Sequence, residues 1–316
     1  MSTRPIPAPA VPSARSLEAG AVALVFMLCL SWSLNQVTVK LALPDIPPLT
    51  QATIRSVGGL AILLGWCTLR GVRLFGPDGT GRAGVLVGLM FGLEFVFVYL
   101  SLELTTASRM TVFLYTAPLF VALAGWLLLP EERFGPLQWM GLGLAFAGIA
   151  LAFGVPDPHV TATMLMGDAM AVIAGALWGG TTVVIKATTL RYAAPEKTLA
   201  YQLAVSIPVL GLGALAMGER LTAWPGPVAL GAMAYQTVWV VGVTFLLWFV
   251  LVRAYSAGRL SAFTFLTPLF GVIAAHIILG DPLSPVFAVS VVLVLSGLIL
   301  INRMPARPAS VEPERR

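Results

Sequence analysis

The polar groups able to do chemistry in this chain are few, and they stand inside long apolar runs. Glu94 is the sharpest of them. At 1.5 Å per residue it lies roughly 16 Å from the start of its run at Ala83, near the middle of an apolar layer about 30 Å thick. A carboxylate at that depth is costly and must face a cavity or a partner. Two roles fit: it binds the amino group of a solute or takes up a proton, or it is a structural partner of Arg55. Arg55 is about 10 Å deep on the same count. Its guanidinium suits a two-pronged hydrogen bond to a solute carboxylate, or a brace between helices, since buried polar groups usually pair within the protein.

Trp32 and Trp178 each fall about 12 residues into an apolar run, near its middle at 1.5 Å per residue, whereas tryptophan usually prefers a membrane interface. Asn35 shares the face of Trp32 at i+3, and Thr182 shares that of Trp178 at i+4. An aromatic beside an amide or hydroxyl suits the wall of a site for a small amphiphilic solute; aromatic packing between helices is the plainer alternative. Tyr99, Tyr201, Tyr235, Trp239 and Trp248 add aromatics with polar tips, and helix rotation must decide which of them face inward. Enzymatic or metal chemistry has little to work with. His159 and His276 are far apart, Cys29 and Cys67 lack metal-ligand spacing, and no phosphate loop or zinc-protease or serine-hydrolase motif occurs. No cofactor or metal is expected, and an intramembrane enzyme is a remote reading.

The elements that must position these groups follow from composition. Hydrophobic residues make up 58% of the chain and charged ones 10%, against about a quarter charged in a soluble domain, so the chain is a polytopic membrane protein. Apolar spans are placed at 19–42, 48–69, 83–103, 107–129, 137–154, 167–187, 197–217, 227–253, 260–279 and 285–302. Lipid forces backbone groups to pair within their own segment, and continuous runs without strand alternation do so as helices. The expected fold is an all-α integral membrane protein with ten transmembrane helices. Residues 1–18 and 303–316 have the composition of unpacked tails. A signal peptide is the rival reading of the start, but the run from Ala19 to Val39 is too long for one and lacks a clear cleavage site.

Orientation comes from the basic residues. With the N-terminus inside, only Lys40, Arg55, Arg109 and Arg220 of the 19 Lys and Arg fall outside or in the outer half of a span. Both termini are then cytoplasmic. The net charge of +5 is the positive-inside signature and calls for no nucleic acid.

The chain is also a duplication. Ala107 to Phe120, ASRMTVFLYTAPLF, recurs without a gap at Ala257 to Phe270 as AGRLSAFTFLTPLF. Trp32 and Lys40 are echoed by Trp178 and Lys186, Arg55 by Gln202, and Gly92 and Phe95 by Gly242 and Phe245; the counterpart of Glu94 is Thr244. The two repeats are placed at 19–154 and 167–302. Five helices each, an odd number, make them inverted relative to one another. Such halves can exchange conformations and open a midplane site to either side in turn. Gln202 joins the candidate site as the echo of Arg55. Pro118 and Pro268, mid-span, remove backbone donors and are placed as hinges. The ladder Gly84, Gly88 and Gly92 permits close helix approach, as does the pair Gly175 and Gly179.

SWSLNQVTVK, PPLTQATIR, TASRMTVFLYTAPLFVALAGWLLLPEE, ALWGGTTVVIK, TLAYQ and FLTPLFGVIAAHIILGD together resemble the EamA-type ten-helix permeases of the drug/metabolite transporter superfamily. The resemblance spans both repeats and departs at Asp281 and Pro282, where a glutamate is usual. It implies a bacterial inner-membrane carrier, commonly an exporter of amino acids or other small metabolites, and leaves substrate and oligomeric state open; a proton taken up at Glu94 would be its coupling ion. The closer rival within that superfamily is a lipid-linked flippase or nucleotide-sugar carrier. A sugar nucleotide, however, would want several central cations where this chain has a central acid.

The topology has a direct test. Reporter fusions at Phe75 and Leu190 are expected to be active only as cytoplasmic reporters, and a periplasmic signal from either overturns the orientation.

Overall fold

The computed structural model describes residues 19–72, 74, 76, 78–117, 119–120, 123–124, 135–154, 160–254 and 266–302. Among them the long regular elements are helices: α1 (Ala19–Ala42), α2 (Pro48–Arg70), α3 (Gly81–Leu104), α4 (Ala107–Leu114), α5 (Pro136–Gly154), α6 (Ala162–Ala187), α7 (Pro195–Ala216), α8, α9 (Leu266–Leu279) and α10 (Pro285–Asn302). Helix α8 runs from Pro227–Ala234 through a π-helical stretch, Tyr235–Thr244, into Phe245–Ala254. Among the described residues six helices are long and apolar enough to cross a membrane, and three shorter apolar helices accompany them.

Local chemistry sets many of the ends. Pro48, Pro195 and Pro227 open α2, α7 and α8 at positions where a missing N–H costs nothing. Thr106 and Thr161 cap α4 and α6, accepting from the backbone N–H of Arg109 and Met164. Gly71, with φ of 65°, ends α2 in the left-handed conformation that glycine adopts without strain.

Helix α4 differs from its expected span. It stops at Leu114 and gives way to a turn at Tyr115 and Thr116, where the Thr116 hydroxyl donates to the carbonyl of Phe113 at 2.6 Å. Leu114 lies four residues before Pro118, the position whose carbonyl a proline ring excludes from the helical ladder. Pro118 itself falls outside the described residues. Pro268 is buried in α9, and residues 255–265 before that helix lie outside the described residues.

Pairwise contacts give the helix directions. Toward one another, α2 and α7 run antiparallel: Thr53 lies against Gly211, Ser56 bonds Ser206, and Gly59 faces Leu203. Antiparallel packing also joins α5 to α10, where Gly148 meets Ser290 and Val294 while Gly297 meets Gly141 and Ala145. Helices α3 and α6 are antiparallel as well, with Gly167 on Leu104 and Thr105 and Gly180 on Met90. By contrast α3 and α7 are parallel, as are α2 and α8. These directions are what successive reversal of the chain requires. One end of the bundle, here termed distal, therefore carries the finish of α1, α3 and α7 and the start of α2, α4, α6 and α8. The opposite end is proximal.

The glycine ladder of α3 faces α7. A Cβ on Gly84 would stand 2.5 Å from the Tyr201 ring, one on Gly88 would stand 2.6 Å from the Tyr201 carbonyl, and one on Gly92 would stand 2.9 Å from Val209. Without side chains the two backbones close up and gain packing that lipid cannot supply.

Gly88→Ala is expected to destabilise the bundle by about 1–3 kcal/mol through overpacking. Gly231→Ala, with nothing within 4 Å, is expected to be near neutral. Thermal unfolding of both variants in one detergent checks the contrast.

Candidate functional site

A cavity of about 350 Å³ lies midway along the bundle, within the size range of small-molecule sites. Helix α1 contributes Trp32, Asn35 and Gln36, and α2 contributes Arg55. Phe91, Glu94, Phe95 and Val98 of α3 follow one another at i, i+3, i+4 and i+7, so a single helical face presents the acid between two rings. Leu114 and Tyr115 enter where α4 breaks, Trp178 comes from α6, Leu199 and Gln202 from α7, and Val240, Phe245 and Trp248 from α8.

Glu94 is 6% exposed and Arg55 3%. No ion pair joins them among the described residues. Glu94 Oε2 and Arg55 Nε have no hydrogen-bond partner, and Asn35 Oδ1 and Gln36 Oε1 are likewise unpartnered. The Arg55 guanidinium instead sits 4.0 Å over the Phe95 ring, a cation–π contact that holds its plane without consuming its donors. Unpaired buried polar atoms are rare and expensive. All four belong to residues that line this cavity.

The aromatic wall is held from behind. Trp32 Nε1 donates to Thr244 Oγ1 at 2.9 Å and its ring meets Trp248 edge-on at 5.3 Å. Tyr115 and Trp178 pack edge-on at the same separation. Thr244, the repeat counterpart of Glu94, thus fixes an indole from within the π-helical stretch of α8.

Of the residues singled out from sequence, Glu94, Trp32, Asn35, Arg55, Trp178, Gln202 and Trp248 line the cavity. The others sit elsewhere. Tyr99 is fully buried behind the wall, donating to Gln236 Oε1 at 2.8 Å. Thr182 donates back to the Trp178 carbonyl of its own helix. Tyr201 lies proximally, packed on Gly84 and 3.2 Å from the Thr80 hydroxyl. Trp239 donates to Ser31 Oγ at 3.0 Å and joins α8 to α1. Gln36, Phe91, Phe95, Val98, Leu114, Tyr115, Leu199, Val240 and Phe245 were not anticipated. The α3 members share the stripe of Glu94 and were legible from its periodicity; Leu114 and Tyr115 owe their place to the break in α4, which no periodic pattern announces.

Distal to the cavity the helices are tied by buried polar contacts. Arg109 at the start of α4 bonds Asp168 of α6 through Nε at 2.8 Å and through a second nitrogen at 2.5 Å, and Thr105 donates to the other Asp168 oxygen at 2.7 Å. Asp281 accepts the Ser108 N–H at 2.8 Å, satisfying a free donor at the N-terminus of α4. Glu219 does the same for α2, accepting from the N–H groups of Leu49 and Thr50. Proximally, Lys197 at the start of α7 pairs with Asp78 at 2.6 Å. The hydrogen bond from Lys197, helped by those of Thr80, holds the Asp78 carboxyl well below the usual carboxylate range. Its contribution is therefore complete above that range and is lost only as pH falls through the depressed value.

The bundle of long apolar helices defines a multi-pass membrane protein. The chain belongs to the EamA-like transporter family, whose model matches residues 19–154 and again 165–303. It is similar to "Uncharacterized transporter YvbV" of Bacillus subtilis (strain 168), 27% identical over 288 residues covering 88% of this chain and 90% of the relative. It is also similar to an "Uncharacterized transporter" of Archaeoglobus fulgidus, 25% identical over 88% of this chain and 95% of the relative. A solved structure titled "Crystal structure of protein" shares the fold, with a TM-score of 0.63 at 19% identity over 89% of this chain and 96% of that one. The protein is a transporter and not an enzyme.

Asp168→Asn removes the buried carboxylate that both Arg109 and Thr105 bond and is expected to cost about 3–5 kcal/mol. The double replacement Arg109→Met with Asp168→Leu is expected to cost less than either single change. Denaturant unfolding of the purified variants measures the difference.

Proposed function

We propose that this protein is an inner-membrane secondary transporter that exports amino acids or similar small amphiphilic metabolites. It works by alternating access between two inverted five-helix repeats, with both termini cytoplasmic. The observation that carries the reading is the presence of one acid and one guanidinium, unpaired with each other, in an aromatic-walled cavity halfway along the bundle. A zwitterion supplies both missing partners at once: its amino group to Glu94 and its carboxylate to Arg55. Trp32, Trp178 and Trp248 then flank the apolar part of the solute.

Inversion is supported by the antiparallel packing of equivalent helices, α2 on α7 and α5 on α10, and by the double match of the family model. The distal ties between α4, α6 and α9 support a state closed on the outer side, which must open for release. Pro118 and Pro268 are the proposed hinges, and Glu94 is the proposed carrier of a coupling proton. A nucleotide-sugar carrier is the weaker reading, because Arg55 is the one cation among the described lining residues.

Proteoliposome transport of labelled amino acids tests this. Glu94→Gln removes a charge-assisted hydrogen bond and is expected to slow transport about tenfold or more while leaving the amount of folded protein in the membrane unchanged. The wild type is expected to vary in rate with pH and Glu94→Gln to lose that dependence. A wild-type rate flat across pH refutes the proton role.

A further inference from the structure

We infer that the cavity selects a primary ammonium group, and that Gln36 is one of the residues that reads it. The inference deepens the reading of the chain as a transporter of small amphiphilic solutes and rests on it.

Three of the unpartnered atoms of the cavity residues are oxygens that accept: Asn35 Oδ1, Gln36 Oε1 and, with its carboxyl ionised, Glu94 Oε2. Their residues are 7%, 7% and 6% exposed, so bulk water does not serve them. Asn35 and Gln36 are consecutive on α1, and Glu94 stands on α3, with all three lining the same cavity. An aromatic wall with a single acid would suit a quaternary ammonium as well as a primary one, since cation–π attraction needs no donor. The three oxygens separate the cases. A quaternary nitrogen has no N–H and would leave all of them unpaired, whereas a primary ammonium carries three donors for three acceptors. Sites built to hydrogen-bond a group reject analogues lacking it, because their own buried polar atoms then go unsatisfied.

Arg55 fixes the other end of the solute. Its Nε is unpartnered and its guanidinium is stacked on Phe95, so the carboxylate is read on α2 and the ammonium between α1 and α3. N-methylation leaves the net charge of an amino acid unchanged and removes donors one at a time, which makes it the appropriate probe.

Quenching of the cavity tryptophans on titration of purified wild-type protein with phenylalanine, N-methylphenylalanine and N,N,N-trimethylphenylalanine measures the selectivity without any substitution. Affinity is expected to fall roughly tenfold for each donor lost. In Gln36→Met, of similar length and with no acceptor amide, phenylalanine is expected to bind roughly tenfold more weakly while the first methyl group costs little. Equal affinity for phenylalanine and its trimethylated form overturns the ammonium inference and leaves the transporter reading intact. A methylation series in Gln36→Met that parallels the wild type removes Gln36 from the site. Failure of the entire series to bind overturns the inference and the zwitterion reading together.

Discussion

Everything in this molecule answers to the cost of a polar group in lipid. Without water to satisfy them, backbone and side-chain donors and acceptors must be paired inside the protein, and most of the described ones are. Ser31 and Ser33 bond the carbonyls of Met27 and Cys29 one turn back in α1. At the helix ends, Asp281 and Glu219 take up the free N–H groups of α4 and α2. The Arg109–Asp168 pair uses both carboxylate oxygens once Thr105 is counted. Against that background the unpartnered atoms of Asn35, Gln36, Arg55 and Glu94 stand out, because they are gathered on one cavity rather than scattered.

The same constraint explains how the cavity is walled. Apolar walls are cheap beside lipid, but a wall of flexible aliphatic side chains would collapse on itself. Rings held from behind do not. Trp32 is fixed by its bond to Thr244 and its contact with Trp248, and Tyr115 and Trp178 hold each other edge-on. Behind them the glycine ladder draws α3 onto α7, which sets the height at which Glu94 meets the space between the helices.

The duplicated positions have diverged where chemistry is concentrated. Trp32 and Trp178 are equivalent by sequence and both line the cavity, as do Arg55 and Gln202. Glu94 and Thr244 are equivalent too, yet Thr244 anchors an indole while Glu94 has an oxygen without a partner. The family model matches the two halves in turn, and differences at positions that correspond by sequence give the cavity its polar residues.

Composition and span length by themselves determined the helical class, the membrane setting and the duplication, because lipid imposes one rule on every residue of a span and the rule is local. Depth was determined in the same way: Glu94, Trp32 and Trp178 are placed near mid-span, and Arg55 shallower, by a count along the helix axis. Rotation and partnership were decided only by the tertiary structure. Tyr99, Trp239 and Thr182 have depths comparable to those of cavity residues, but they spend their polar atoms on Gln236, Ser31 and a backbone carbonyl. Tyr115 reaches the cavity because α4 stops short. Asp168, silent in sequence at the start of α6, becomes the counter-ion of Arg109 because α4 and α6 lie side by side. A linear pattern encodes how far along its own axis a residue lies, and the facing helix alone decides whether its polar atoms are already taken.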